Sequence, residues 1–192
     1  MVVHDDDRPL RVVVFFSGGA SGFRYLADHD PEFDEAYEVV GGFSDDPDCA
    51  GVGRLRRRGI PVETRDLRAF YAEREAETRD LGVRAEFDAA TASTIDRFDP
   101  DLVLLSGYMW IVTAPLMEAY PILNVHPADL TIEDEDGSRR FVGYNPVYDA
   151  IAAGQDETRS SVHFVTEDVD EGPIVAVSRP FPVYGELVAT LL

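Results

Sequence analysis

Two continuous apolar runs constrain the fold of this chain more than any other feature. The segments RVVVFFS, which begins at Arg11, and DLVLLSGY, which begins at Asp101, do not alternate apolar with polar residues. A strand with this pattern is buried on both faces, as in a parallel sheet that is covered by helices. Helical patterns occur between such strands along the chain, and this alternation is typical of an α/β sheet. We therefore predict an α/β fold with an open, mostly parallel sheet and helices on both faces.

The remaining elements follow the same alternation. Further strands are predicted at residues 37–44, 60–63 and 121–126, and two more within residues 160–183 around an acidic turn. Helices are predicted at residues 23–30, 50–58, 83–98, 113–120 and 145–153. The apolar residues near the C-terminus have the pattern of a helix that is cut short. A chain of 192 residues is long enough for one substantial core, so we expect a single domain over residues 1–192, truncated at its C-terminus or part of a longer protein.

The charge composition excludes several classes of protein. The formal net charge is -20, and the 17 basic residues are all arginine, because the sequence contains no lysine. Such a charge argues against binding nucleic acid phosphates and favours a protein adapted to strong salt, in which screening removes self-repulsion. No apolar run reaches the roughly 20 residues of a membrane span, and the single cysteine cannot form an internal disulfide. We expect a soluble, cytoplasmic protein that loses structure in dilute buffer.

Three segments lie where the predicted strands end, which is where open α/β sheets bind ligands. These segments are the glycine-rich turn 17–22, residues 106–112 and residues 124–127. In the last segment Asn124 and His126 are two residues apart in a strand, so both side chains face the same side, and Pro127 ends the strand at once. An amide beside an imidazole suits an oxygen that becomes negative during a reaction. A histidine near the end of a strand is more often only structural, so this pair alone leaves both interpretations open.

Several separated motifs together resemble the folate-dependent formyltransferase family. That family has Gly-Tyr/Phe-Met-Arg-Ile after one strand, then Asn-Ile-His-Pro, and later Val-His-Phe-Val followed by Asp-x-Gly-Pro-Ile. The matching stretches here are GYMWI (107–111), NVHP (124–127), VHFV (162–165) and DEGPI (170–174), in the same order. The resemblance extends over residues 11–183. It is closest to the members that formylate glycinamide ribonucleotide in purine biosynthesis, and it implies a Rossmann-like fold.

The resemblance implies a role for each of these segments. Asn124, His126 and Asp170 would be catalytic, and 10-formyltetrahydrofolate would be the co-substrate, with no metal. The folate would contact residues of two segments, namely Met109, Trp110, Ile111, Val112, Val169, Glu171 and Gly172. The phosphate of the acceptor would bind to the glycine-rich turn at Gly19, Ala20, Ser21 and Gly22. The partner is thus a small-molecule amine, with no nucleic acid or membrane, and the chain is expected to be a monomer or homodimer.

The sequence departs from the family at positions that would face the acceptor. The turn reads SGGASG, whereas the family has Ser-Gly-x-Gly-Ser-Asn. Trp110 replaces an arginine, and an acidic segment, residues 129–142, follows the histidine. These changes keep three alternatives open: formyl transfer to another amine, hydrolysis of 10-formyltetrahydrofolate, and a folate-binding module without catalysis. His163 is interpreted as structural, and His4 and His29 as surface residues.

Overall fold

The structure, a computed structural model, describes residues 8–183, and its contacts divide the chain after Leu123 into two compact units. The first unit contains four parallel strands in the order β3-β2-β1-β4. They are β1 (Leu10–Phe16), β2 (Tyr37–Ser44), β3 (Val62–Thr64) and β4 (Leu102–Leu105). Its helices are α1 (Ser21–His29), α2 (Ala50–Arg57), α3 (Leu67–Ala72), α4 (Leu81–Ile95) and α5 (Ala114–Ala119).

The apolar run of β1 lies in the core of this unit, as predicted. Val13, Val14, Phe15 and Phe16 are fully buried. Because successive side chains of a strand point to opposite faces, burial of all four shows that both faces of β1 are covered. The prediction of a parallel, helix-covered sheet is confirmed in this unit.

The second unit begins within strand β5 (Ile122–His126) and mixes one helix with short strands. Its other elements are α6 (Pro146–Ala152), β6 (Glu157–Thr158), β7 (Ser161–Phe164), β8 (Ile174–Val177) and β9 (Phe181–Pro182). β7 pairs with β8 and β6 with β9, both antiparallel. Ala128, Phe141 and Ala150 form a small buried cluster beside these elements.

Several boundaries differ from the sequence prediction for local reasons. The helix expected at 83–98 is α4, which begins at Leu81 because the Asp80 carboxylate accepts from the N–H groups of Gly82 and Val83. It ends at Ile95 in a single 3₁₀ turn, Asp96–Phe98. The strand expected at 60–63 is β3, shifted to Val62–Thr64, and α3, β6 and β9 were not predicted because they are only two to six residues long. The expected C-terminal helix lies outside the described residues. Between residues 8 and 183 no helix is both long and apolar enough to cross a membrane.

Candidate active site

The carboxyl end of β5 presents the side chains of Asn124 and His126 to a common carboxylate, that of Asp170. His126 Nδ1 lies 3.4 Å from Asp170 Oδ2, and Asn124 Nδ2 lies 3.5 Å from Asp170 Oδ1. His126 is almost fully buried, and Asp170 lies in the turn between β7 and β8. The three residues named from the sequence therefore converge in the second unit.

The contacts of His126 account for both of its ring nitrogens. Nε2 lies 2.7 Å from the carbonyl oxygen of Phe141, which can only accept, so Nε2 carries a proton. Nδ1 faces the Asp170 carboxylate, and that contact is attractive only if Nδ1 also carries a proton. With both protons the ring is a cation beside an anion. In that doubly protonated state the ring is a positively charged donor in a buried site.

His163, interpreted from the sequence as structural, is a fourth member of the cluster. Its Nε2 lies 3.2 Å from Asn124 Nδ2 and 3.4 Å from Asp170 Oδ1, and its Nδ1 lies 2.9 Å from the Phe164 carbonyl oxygen. A neutral ring accepts from the Asn124 amide through Nε2, whereas a protonated ring donates to Asp170. Ser161 and His163, two residues apart in β7, are both buried, and this burial is seen only in the structure.

The electrostatic surroundings favour the ionised form of Asp170. Burial, the largest influence, raises the pKa of its carboxyl group. The hydrogen bond from His163, the 2.8 Å bond from the Gly143 N–H, and the charges of His126 and His163 together outweigh burial and lower the pKa below its ordinary value of 3.8. Asp170 is therefore an anion held between two histidines.

The glycine-rich turn of the first unit exposes backbone donors at the start of α1. Ala20 adopts a left-handed conformation (φ 47°) and caps the helix without a side-chain hydrogen bond. The first N–H groups of a helix have no partner inside it, so those of Ser21 and Gly22, both exposed, suit an anion. The predicted binding residues thus offer backbone groups rather than side chains.

Arg54 lies beside this turn and was not identified from the sequence. A Cβ built at Gly19 would be 3.3 Å from Arg54 Nη1, and among residues 8–183 the guanidinium has no ion-pair partner. The backbone of α2 is tied to the turn, because the Gly51 N–H donates to the Gly18 carbonyl at 2.9 Å. No sequence motif pointed to this arrangement, because it depends on how α2 packs against the turn.

The segment after β4 is held by several side chains of the first unit. The N–H of Met109 donates to Ser17 Oγ at 3.0 Å, and the indole of Trp110 donates to Asp45 Oδ2 at 2.7 Å. The side chains of Met109 and Ile111 are half exposed, whereas Val112 is buried. The segment thus shows two apolar side chains to solvent on a fixed backbone.

The predicted folate contacts in the second unit lie in the turn that contains Asp170. Val169 is half exposed and Glu171 has an ion pair with Arg139 at 3.7 Å. A Cβ at Gly172 would lie 1.8 Å from the Phe164 carbonyl oxygen, so this position admits only glycine. Within residues 8–183 no group of three or more acidic, histidine or cysteine side chains is arranged to hold a metal ion.

A comparison with protein families agrees with the geometry of these segments. The model of the family described as "Formyl transferase" matches residues 10–184. The chain belongs to the formyl transferase family. The chain is 30% identical over 177 residues to phosphoribosylglycinamide formyltransferase of Escherichia coli, an alignment that covers 91% of the chain and 74% of that protein. It is also 30% identical over 189 residues to the human trifunctional purine biosynthetic protein adenosine-3, of which it spans only 17% while 97% of the chain is covered.

Solved structures of related proteins have the same fold as this chain. Glycinamide ribonucleotide transformylase 1 from Symbiobacterium toebii superposes with a TM-score of 0.76 at 31% identity, covering 95% of this chain and 78% of that one. Phosphoribosylglycinamide formyltransferase from Streptococcus pneumoniae gives a TM-score of 0.71 at 29% identity, covering 91% and 83%. The prediction of an open, mostly parallel α/β sheet of the formyltransferase kind is confirmed.

Proposed function

We propose that this chain transfers the formyl group of 10-formyltetrahydrofolate to the amine of glycinamide ribonucleotide. The observation that carries the proposal is the cluster of Asn124, His126 and Asp170, in which His126 is buried. It occurs in a member of the formyl transferase family that aligns with phosphoribosylglycinamide formyltransferases over about nine tenths of its length. A protein that only binds folate needs no charged donor beside an amide.

The chemistry requires a place for one negative charge and a route for one proton. The amine nitrogen attacks the formyl carbon, and the carbonyl electron pair moves onto oxygen. When the tetrahedral intermediate collapses, the bond from carbon to folate N10 breaks, and the proton lost by the amine ends on N10. The cationic His126 and the amide of Asn124 stabilise the oxyanion, and Asp170 assists the proton transfer through water.

The position of Phe141 indicates where the formyl oxygen binds. Its carbonyl oxygen accepts from His126 Nε2 at 2.7 Å, so this N–H is already engaged. A substrate oxygen that accepts the same bond takes the place of the Phe141 carbonyl. The Phe141 carbonyl must therefore give up this hydrogen bond when the substrate binds.

The acceptor phosphate is assigned to the glycine-rich turn in the first unit. The backbone donors of Gly19, Ala20, Ser21 and Gly22 and the partial positive charge at the start of α1 favour an anion there. Arg54 adds a full positive charge next to Gly19. The change from the family's asparagine to Gly22 then removes one side-chain contact but leaves the main-chain site.

The folate is assigned to the residues that the family resemblance implies. In the first unit the side chains of Met109 and Ile111 are exposed and apolar. Trp110, which donates to Asp45, and the buried Val112 hold the backbone of this segment. In the second unit Val169, Glu171 and Gly172 border Asp170 in the chain. These assignments extend the family resemblance to the residues present here.

The working conditions follow from the charge. With 37 acidic and 17 basic residues, mutual repulsion is strong in dilute buffer and screened in molar salt. We infer a cytoplasm with a high concentration of salt. The assay is therefore set in molar potassium chloride.

The test follows consumption of 10-formyltetrahydrofolate with and without glycinamide ribonucleotide. We expect consumption only with the acceptor, and its loss in His126→Ala and Asp170→Asn. Consumption without any acceptor would indicate a hydrolase. Folate that binds without being consumed, together with turnover when other amines are supplied, would indicate a different acceptor, and binding with no turnover at all would leave only a binding module.

A further inference from the structure

Segment 139–143 contacts the catalytic cluster through every second residue. The Arg139 side chain donates to the Asp170 carbonyl, Phe141 O accepts from His126, and the Gly143 N–H donates to Asp170 Oδ2. The first contact comes from a side chain and the other two come from the backbone. The acidic insertion between 129 and 142 therefore ends in a segment that belongs to the site.

Asp170 needs such support because its backbone is strained. Its φ is 59°, in the left-handed region that residues other than glycine adopt much less readily. That conformation sets the direction in which the carboxylate points, and with it the contacts to His126 and His163. A strained conformation of this kind persists only where the surroundings hold it.

We propose that Arg139 is a positioning residue that holds Asp170 in this conformation. Its Nη1 donates to the Asp170 carbonyl, and its Nε lies 3.7 Å from Glu171 Oε2, so it binds two consecutive residues of the strained turn. Charge-assisted hydrogen bonds from a planar guanidinium are strong and directional. In this proposal Arg139 acts through Asp170.

The neighbouring arginine differs in each of these respects. Arg140 forms an ion pair with Asp134 at 3.6 Å, its side chain is 42% exposed, and it contacts no member of the cluster. The Arg139 side chain is 14% exposed. The two residues carry the same charge in the same segment, so Arg140 is a matched control.

The first part of the test is kinetic and rests on the proposed function. We expect Arg139→Gln to lower kcat about 10-fold or more with little change in the KM for glycinamide ribonucleotide, since a displaced catalytic group slows the chemical step. Arg139→Lys, which keeps one charged donor, should fall between Arg139→Gln and the wild type. Arg140→Gln should leave kcat unchanged. This order of kcat values must hold among variants with similar melting temperatures. If Arg139→Gln does not fold, the kcat of Arg139→Lys decides whether Arg139 has the proposed role.

The second part needs no turnover. Nitrogen-15 NMR of the histidine rings in molar potassium chloride reports hydrogen bonds to Asp170, and we expect the resonances of His126 and His163 to shift in Arg139→Gln but not in Arg140→Gln. His29, which is exposed and stacks on Tyr25, is the internal reference. If the wild type does not transfer the formyl group, the proposed function is wrong. The NMR comparison would still decide the role of Arg139. Unchanged kcat and unchanged ring signals in Arg139→Gln and Arg139→Lys, even with a lower melting temperature, would overturn the inference.

Discussion

The catalytic cluster of the second unit and the glycine-rich turn of the first unit depend on different parts of the chain. The cluster consists of the side chains of Asn124, His126, His163 and Asp170, each within 3.5 Å of another member. The two histidines are buried, and the other two residues are partly buried. The turn consists of exposed main-chain N–H groups at the start of α1. A reaction that needs an amide, an imidazole and a carboxylate requires particular residue types at those positions. An anion bound by main-chain N–H groups requires only that the backbone follow the right path.

This difference explains where the sequence departs from its family. NVHP and DEGPI keep the functional side chains, whereas the turn has Ala20 and Gly22 in place of a glycine and an asparagine. Ala20 still adopts φ 47°, so the turn has a positive φ without the residue that most easily adopts it. Four experiments test whether the contrast between side-chain chemistry and main-chain binding holds.

The largest effect is expected for Asp170→Asn. The amide keeps the size but loses the charge that holds His126 cationic, so kcat should fall about 10²- to 10³-fold, as when an oxyanion donor is removed. Steady-state formyl transfer in molar potassium chloride measures this. Asp168→Asn, at an exposed position in the same acidic turn, removes the same charge and should leave kcat unchanged. Equal losses in both variants would mean that general acidity, rather than the cluster, matters.

Arg54→Gln should affect binding instead of chemistry. We expect the KM for glycinamide ribonucleotide to rise about 10-fold with kcat unchanged, because one charge-assisted contact to phosphate is lost. Arg57→Gln, on the same helix but exposed, is the control. A fall in kcat without a change in KM would place Arg54 outside the phosphate site.

The ionisation of Asp170 can be tested through the pH dependence of stability. Because the pKa of Asp170 is lowered in the folded state, its ionisation stabilises the fold above the ordinary pKa of 3.8, and this stabilisation is lost as the pH falls through the lowered value. The difference in unfolding free energy between wild type and Asp170→Asn should therefore be constant above that range and shrink toward more acidic pH. Denaturant titrations at several pH values measure it. A difference that grows on acidification would contradict the direction of the shift.

Strand periodicity and motif order predicted much of the fold and the site, for reasons that particular residues show. A continuous run of apolar residues identified β1. The two-residue spacing of Asn124 and His126, followed by Pro127, placed both side chains at the end of one strand. His163 was interpreted as structural because a histidine inside a strand gives no sign of what lies opposite it. Arg54 and Arg139 were missed because their roles depend on contacts between segments distant in sequence, Arg54 with Gly19 and Arg139 with Asp170.

The smallest effect is expected for Ala20→Gly, which restores the family's residue. Glycine removes the left-handed strain, worth about 1 kcal/mol, but it also increases the entropy of the unfolded chain and removes a buried methyl group, each of similar size. Stability and the KM for glycinamide ribonucleotide should therefore change little, the latter by less than about twofold, since 1.4 kcal/mol would be needed for a factor of ten. Thermal melting and steady-state kinetics of the same preparation measure both. A KM that falls tenfold would show that the alanine side chain itself limits phosphate binding, and that residue identity matters in the turn as it does in the cluster.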